Sequence, residues 1–145
     1  VSVGARRQTM KVIICGSPHW NFDTMIERDI VDLRAEAMKS GTKLMIIHGG
    51  EPGAESTAHR ICRDQGIDVI VHEAVKRRGP DSLFRRNSIM LSYHNPDLVV
   101  CYAPVVSESA VVSDMLIRAR ARGCDIRAVD RKSLDARYNP TISGR

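Results

Sequence analysis

The sequence predicts an α/β fold: a doubly wound, Rossmann-like, mainly parallel five-stranded sheet with helices on both faces. Short runs that are apolar throughout alternate along the chain with segments of helical periodicity. This alternation is typical of parallel strands that helices cover on both sides. Right-handed crossovers then leave few topologies, chiefly the strand order 3-2-1-4-5. In that order the first and fourth strands are neighbours, and ligands bind beyond the carboxyl ends of the strands, where their connections diverge.

The five predicted strands are short and rich in Val, Ile and Leu. They are KVIIC (11–15), KLMIIH (43–48), DVIVH (68–72), DLVVCY (97–102) and DIRAVD (125–130). Four helices are expected between them. A capping box of Thr24 and Glu27 is predicted to open the first helix, and Gly123 is predicted to end the last one. The third helix places Asn87 on its apolar face, which predicts a buried amide that must find hydrogen-bond partners.

One domain accounts for most of the chain. We expect it to span residues 11–130, with a mobile N-terminal extension over 1–10 and a C-terminal tail over 131–145. No apolar run approaches the roughly 20 residues that span a bilayer. The N-terminal stretch also lacks the apolar core of a signal peptide. We therefore expect a cytoplasmic protein that has no membrane partner.

The composition narrows the range of partners and cofactors. A net charge of +5 and a pI near 9.3 favour an anionic partner, whereas an aromatic content of 4% disfavours a stacking platform for single-stranded nucleic acid. The four cysteines form no CxxC pair, so we expect them to be buried apolar groups in a reducing compartment. The five histidines have no HExxH spacing, and neither a metal nor a cofactor is predicted.

Glycines follow the first two predicted strands. Gly16-Ser17 comes after the first, and HGGEPGAE, which begins at His48, comes after the second. Glycine permits close approach of the backbone, and the start of a helix offers unpaired N–H groups, so this pattern is typical of a phosphate site. A tight turn that binds nothing is the alternative. Neither group forms GxGxxG or GxxxxGK[ST], so the sequence does not support a standard dinucleotide-binding or NTP-hydrolysing site.

Polar residues near these turns suggest chemistry. Glu51 can bind ribose hydroxyls or act as a nucleophile or base at a glycosidic bond, although a carboxylate stabilised by the helix dipole is the simpler interpretation. Arg86, or its neighbour Arg85, can bind a phosphate in a bidentate manner. Asn87 either orients the site or ties down a loop backbone.

Four segments together resemble the YspA-like, cpYpsA-related branch of the SLOG superfamily, small Rossmann-like domains related to LOG proteins. They are VIICGSPHW, IIHGGEPGAESTAHRIC, LFRRNSIM and DLVVCYAP. The glycine turn after the second strand (residues 48–53) is also similar to that of the DNA-processing protein DprA. The resemblance covers about residues 11–130 and implies a nucleotide or nucleotide-derived ligand at the strand carboxyl ends. The ligand-binding residues that it implies are Gly16, Ser17, His48, Gly49, Gly50, Gly53, Arg86 and Asn87.

The sequence departs from the family at the second glycine-rich loop. In hydrolase relatives this loop reads P-G-G-x-G-T and grips the phosphate, but residues 107–112 here read SESAVV. Ser107 and Ser109 can still donate hydrogen bonds to a ligand, and Asp114 or Glu108 offers a carboxylate. Pro18 and His19 also stand where the family usually has an Arg and an Asp.

Three functions follow from these observations. The first is binding of a nucleotide or nucleotide-derived small ligand by a sensor or sequestering protein. The alternative is a hydrolase or transferase of nucleotide N-glycosidic bonds, with Glu51 or Asp114 as the catalytic carboxylate. DprA-like binding of nucleic acid through the basic residues is the third. The resemblance further implies a homo-oligomer.

Overall fold

The computed structural model describes residues 8–133. Strands and helices alternate as β1 (Thr9–Gly16), α1 (Asp23–Lys39), β2 (Lys43–His48), α2 (Ala54–Gln65), β3 (Asp68–Val71), α3 (Ser82–His94), β4 (Leu98–Tyr102), α4 (Ala110–Ala121) and β5 (Asp125–Val129). Short 3-10 turns occupy Lys76–Arg78 and Val106–Glu108. Most of the predicted N-terminal extension and C-terminal tail lies outside the described residues.

The five strands form one parallel sheet in the order β3-β2-β1-β4-β5. The predicted α/β fold and strand order are therefore confirmed. The register aligns Ile13 of β1 with Ile47 of β2 and Val99 of β4. Since β1 is central, its residues 12–15 are all buried, which explains why that strand is apolar throughout.

Side chains of β1 alternate between two cores. Val12 and Ile14 pack with residues of α1 and α2 on one face of the sheet, and Ile13 packs with residues of α3 and α4 on the other. Within residues 8–133, no helix is both long and apolar enough to cross a bilayer. The carboxyl ends of β1, β2 and β4 come together at one edge, where α3 and the glycine turn meet.

The predicted capping box of α1 is wrong. The helix begins at Asp23 and its N-cap is Phe22, which makes no capping hydrogen bond through its side chain. The indole N–H of Trp20 donates to the carbonyl of Phe22 at 3.0 Å. This bond fixes the chain just ahead of the helix, so Thr24 lies inside the first turn instead of at the N-cap.

Two of the cysteines are not simply buried apolar groups. Cys15 and Cys101 are register partners on β1 and β4, with Cα atoms 4.7 Å apart, and a disulfide joins them. That separation lies within the range that a disulfide requires. Cys62 and Cys124 are free thiols, and Cys124 is partly exposed, so its predicted burial is wrong. Cys62 is buried as predicted, and burial raises the pKa of its thiol to about 12.

Candidate ligand-binding site

The backbone amides of the glycine turn after β2 are hydrogen-bonded to side chains of the protein itself. The N–H groups of Gly49 and Glu51 both donate to Oε1 of Glu55, at 2.7 and 3.3 Å. The N–H of Gly50 donates to Nδ1 of His48 at 2.9 Å. Three successive amides that the sequence suggested for a phosphate therefore already bind side chains of the protein.

Glu55 is central to the turn, although the sequence does not distinguish it from an ordinary carboxylate in the first turn of a helix. Its side chain is 2% exposed and lies in the first turn of α2, where the helix dipole favours a carboxylate. Burial raises the pKa of Glu55, and the neighbouring Arg86 opposes that rise. A signal was present, because an acidic residue that follows a glycine turn at a helix start is a common partner for unpaired amides.

His48 and His59 form a hydrogen-bonded pair beneath the turn. Because Nδ1 of His48 accepts from Gly50, its Nε2 carries the proton and donates to Nδ1 of His59 at 2.9 Å. Burial, followed by the nearby His59 and Arg86, lowers the pKa of His48 to about 4. His48 therefore supports the turn as a neutral ring and brings no positive charge to a ligand at neutral pH.

Arg86 of α3 packs directly on the turn. Its Nη1 donates to the carbonyl of Gly49 at 3.0 Å and lies 3.5 Å from Oε2 of Glu51. A Cβ atom at Gly49 would come within 1.9 Å of the same Nη1, so any other residue here would force the guanidinium away from the turn. The Arg86 side chain is 4% exposed, and its Nε has no partner among the described residues.

The loop after β1 meets the same turn. Gly53, the N-cap of α2, has a φ of +87°, and a Cβ there would lie 2.4 Å from the carbonyl oxygen of Ser17. The hydroxyl of Ser17 accepts from the N–H of His19 at 3.0 Å, and Gly16 packs against Ala54. The structure thus brings all the predicted glycines together with Ser17, His48, Glu51 and Arg86.

A second group of predicted residues surrounds Asn87. This side chain is fully buried, and its Nδ2 donates to the carbonyl of Val111 at 3.1 Å and to Oδ2 of Asp114 at 3.0 Å. The predicted buried amide is confirmed, but its Oδ1 has no partner among the described residues. Asp114 also accepts from Nε of Arg118 at 2.9 Å.

The serines of the glycine-free loop lie at the start of α4. Ser109 is the N-cap, and its hydroxyl accepts from the N–H of Val112 at 3.3 Å. Ser107 is exposed on the 3-10 turn. The two candidate carboxylates fall in different groups, since Glu51 faces Arg86 and Asp114 faces Asn87. The two groups are joined by α3, through its adjacent residues 86 and 87.

Comparisons with known proteins show one matching family model and one solved structure with a similar fold. Residues 10–79 match the family model described as the YspA, cpYpsA-related SLOG family, a segment that runs from β1 to the 3-10 turn before α3. A search of curated proteins found no match. The X-ray structure of TM1055, a Northeast Structural Genomics Consortium target, is similar, with a TM-score of 0.55 and 17% identity over 81% of this chain and 72% of that chain. At that identity the likeness shows the fold alone. The match over residues 10–79 supports the resemblance to the YspA-like, cpYpsA-related SLOG branch that the sequence motifs indicate.

Proposed function

We propose that the protein binds a nucleotide or nucleotide-derived small ligand at the carboxyl edge of its sheet, and that it senses or sequesters this ligand. The family and the doubly wound fold support a nucleotide-related function in general. The observation that carries the proposal is a pair of buried polar atoms, Nε of Arg86 and Oδ1 of Asn87. Both lack a partner among the described residues.

A buried donor or acceptor without a partner costs about 1–3 kcal/mol. Here one donor and one acceptor belong to adjacent residues of α3, at the edge where doubly wound sheets bind their ligands. A nucleotide carries acceptors in its phosphate and base and donors in its ribose hydroxyls and base edges, so it can satisfy both atoms, whereas an apolar ligand can satisfy neither. Glu51, beside Arg86, is the side chain that we expect such a ligand to displace.

A thermal-shift screen of the full chain tests this proposal. It uses nucleosides, nucleoside mono-, di- and triphosphates, ADP-ribose and cyclic nucleotides. We expect at least one compound to raise the unfolding temperature through preferential binding to the folded state. The Asn87→Ala variant should lose that shift, and the Ser88→Ala variant, a change at the exposed neighbouring position, should keep it. If no compound stabilises the wild-type protein, the proposal is wrong.

The second candidate function is cleavage or transfer of a nucleotide N-glycosidic bond. It is favoured by Glu51, a carboxylate whose side chain is 19% exposed beside Arg86 and so remains reachable. Asp114 is bound by both Arg118 and Asn87, which leaves it less available as a nucleophile. Mass spectrometry of the same samples for free base separates binding from turnover. An enzyme should release base and lose that activity in Glu51→Gln.

A further inference from the structure

A small pocket beside the glycine turn is lined by three arginines. It lies between the segment that follows β3 and the first turns of α3, and its volume is about 110 Å³. Arg78, Arg85 and Arg86 line it, together with the single acidic residue Glu73. We call it the arginine pocket.

We propose that the arginine pocket binds the phosphate group of the ligand. This inference rests on the proposed function, because it assigns one part of a nucleotide to one part of the site. It extends the expectation that Arg85 or Arg86 binds a phosphate, and it differs from the expectation that the amides of the glycine turn do so.

The three central amides of the glycine turn already donate hydrogen bonds within the protein. Those of Gly49 and Glu51 bind Glu55, and that of Gly50 binds His48. A phosphate on these amides would have to expel a buried carboxylate from the start of α2. The loop after β4 has no glycine between residues 103 and 109, so a ligand anion needs donors from another element.

The arginine pocket supplies such donors. Arg86 is nearly fully buried and its Nε lacks a partner among the described residues. Nη2 of Arg85 donates to the carbonyl of Arg78 at 3.0 Å, which holds the 3-10 turn against α3 and keeps both residues at the pocket. Guanidinium groups match the geometry of phosphate oxygens. Ser82, the first residue of α3, also lines the pocket, where the helix dipole is positive.

The size of the pocket fits one group of a ligand. Small-molecule sites commonly span about 300–1,000 Å³, so a pocket of about 110 Å³ is too small for a whole nucleotide. It adjoins the glycine turn, since a Cβ atom at Gly50 would lie 3.1 Å from Val71 and 3.2 Å from the pocket residue Glu73. A phosphate in the arginine pocket therefore leaves the sugar and base next to Arg86 and the turn.

Calorimetry with matched nucleoside and nucleoside 5′-monophosphate pairs tests the inference on the full chain. For the base that binds, the monophosphate should bind at least about tenfold more tightly, as one charge-assisted hydrogen bond implies. This advantage should shrink severalfold in Arg85→Gln and in Arg78→Gln. It should persist in Arg63→Gln, which removes an exposed arginine from the last turn of α2.

The outcomes separate this inference from the proposed function. Nucleosides that bind as tightly as their monophosphates would overturn the phosphate assignment and leave the proposed function standing. A phosphate advantage that survives both Arg85→Gln and Arg78→Gln would place the phosphate elsewhere and also overturn it. If no compound of the thermal-shift screen binds, these pairs included, the proposed function and this inference fail together.

Discussion

The loops that follow β2 and β4 end at the same edge of the sheet but are built in opposite ways. The loop after β2 is rich in glycine, and its amides bind the buried Glu55 and His48. The loop after β4 has no glycine, and its residues Val105 and Ser107 are exposed. This contrast shows that the glycines of the loop after β2 allow close packing within the protein. Under the proposed function, the ligand therefore binds mainly side chains, chiefly Arg86 and Asn87 of α3.

The largest expected effect comes from removing the acceptor inside the glycine turn. Glu55→Leu leaves the amides of Gly49 and Glu51 without an acceptor and should lower the free energy of unfolding by about 4 kcal/mol. Glu55→Gln should cost less than about 1 kcal/mol, because both amides donate to the same oxygen, Oε1, which the amide side chain retains. Denaturant titration measures both variants. Equal losses in the two would contradict this account of the turn.

Glu55 also predicts a pH dependence. Because burial raises its pKa in the folded protein, the folded state holds the proton more tightly than the unfolded state does. The stability that this contributes is present at low pH and is lost as the pH rises through the raised pKa. Glu55→Gln should remove that part of the pH profile.

A smaller loss is expected where Arg86 meets the turn. Gly49→Ala places a methyl group against the guanidinium and should lower the free energy of unfolding by about 3 kcal/mol. In the Arg86→Ala background the methyl group has room, so the same change should cost much less. A double-mutant cycle measures this coupling. Strict additivity of the two changes would show that they do not touch.

The histidine pair should destabilise the protein in acid. The pKa of His48 falls from 6.5 to about 4 on folding, so its contribution is present above 6.5 and is lost as the pH falls towards 4. Allowing for solvent screening, we expect a loss of about 2 kcal/mol. His48→Gln should lose less over that range in urea titrations. Burial also lowers the pKa of His94 and raises that of Glu55. Both residues are present in both proteins, so the difference between the two proteins reports on His48.

The smallest effect is expected in the loop after β4. Ser109→Ala removes the N-cap of α4 and should cost about 1 kcal/mol. Ser107→Ala changes an exposed hydroxyl and should stay within about 0.5 kcal/mol of the wild type. Thermal denaturation of the two variants compares them. A larger loss in Ser107→Ala would mean that this loop is packed in a way that its exposure does not suggest.

The fold was predictable because its signals are local. Apolar runs separated by helical periodicity fix the order of the elements, and the face of α3 that carries Met90 also carries Asn87, whose burial was predicted correctly. The start of α1 was predicted wrongly, since the helix follows Phe22, whose backbone carbonyl accepts from the indole of Trp20. No helix-start pattern in the sequence contains that contact.

The contacts of the site were less predictable because they join distant elements. In the sequence, Glu55 is equally consistent with an exposed carboxylate in the first turn of a helix. Its burial depends on how the glycine turn packs over it. The disulfide joins Cys15 and Cys101, which are 86 residues apart, and it depends on the register of β1 with β4. The pairing of His48 with His59 likewise depends on how α2 packs beside β2.

The most direct test follows backbone and guanidinium N–H signals by ¹H–¹⁵N NMR while a nucleoside 5′-monophosphate is titrated into the full chain. We predict that the Nε–H of Arg86 shifts strongly as it gains an acceptor. The amides of Gly49 and Glu51 should keep the signals of groups bound to Glu55. Large shifts of those two amides, with the Arg86 signal unchanged, would mean that the glycine turn holds the phosphate and would contradict the account.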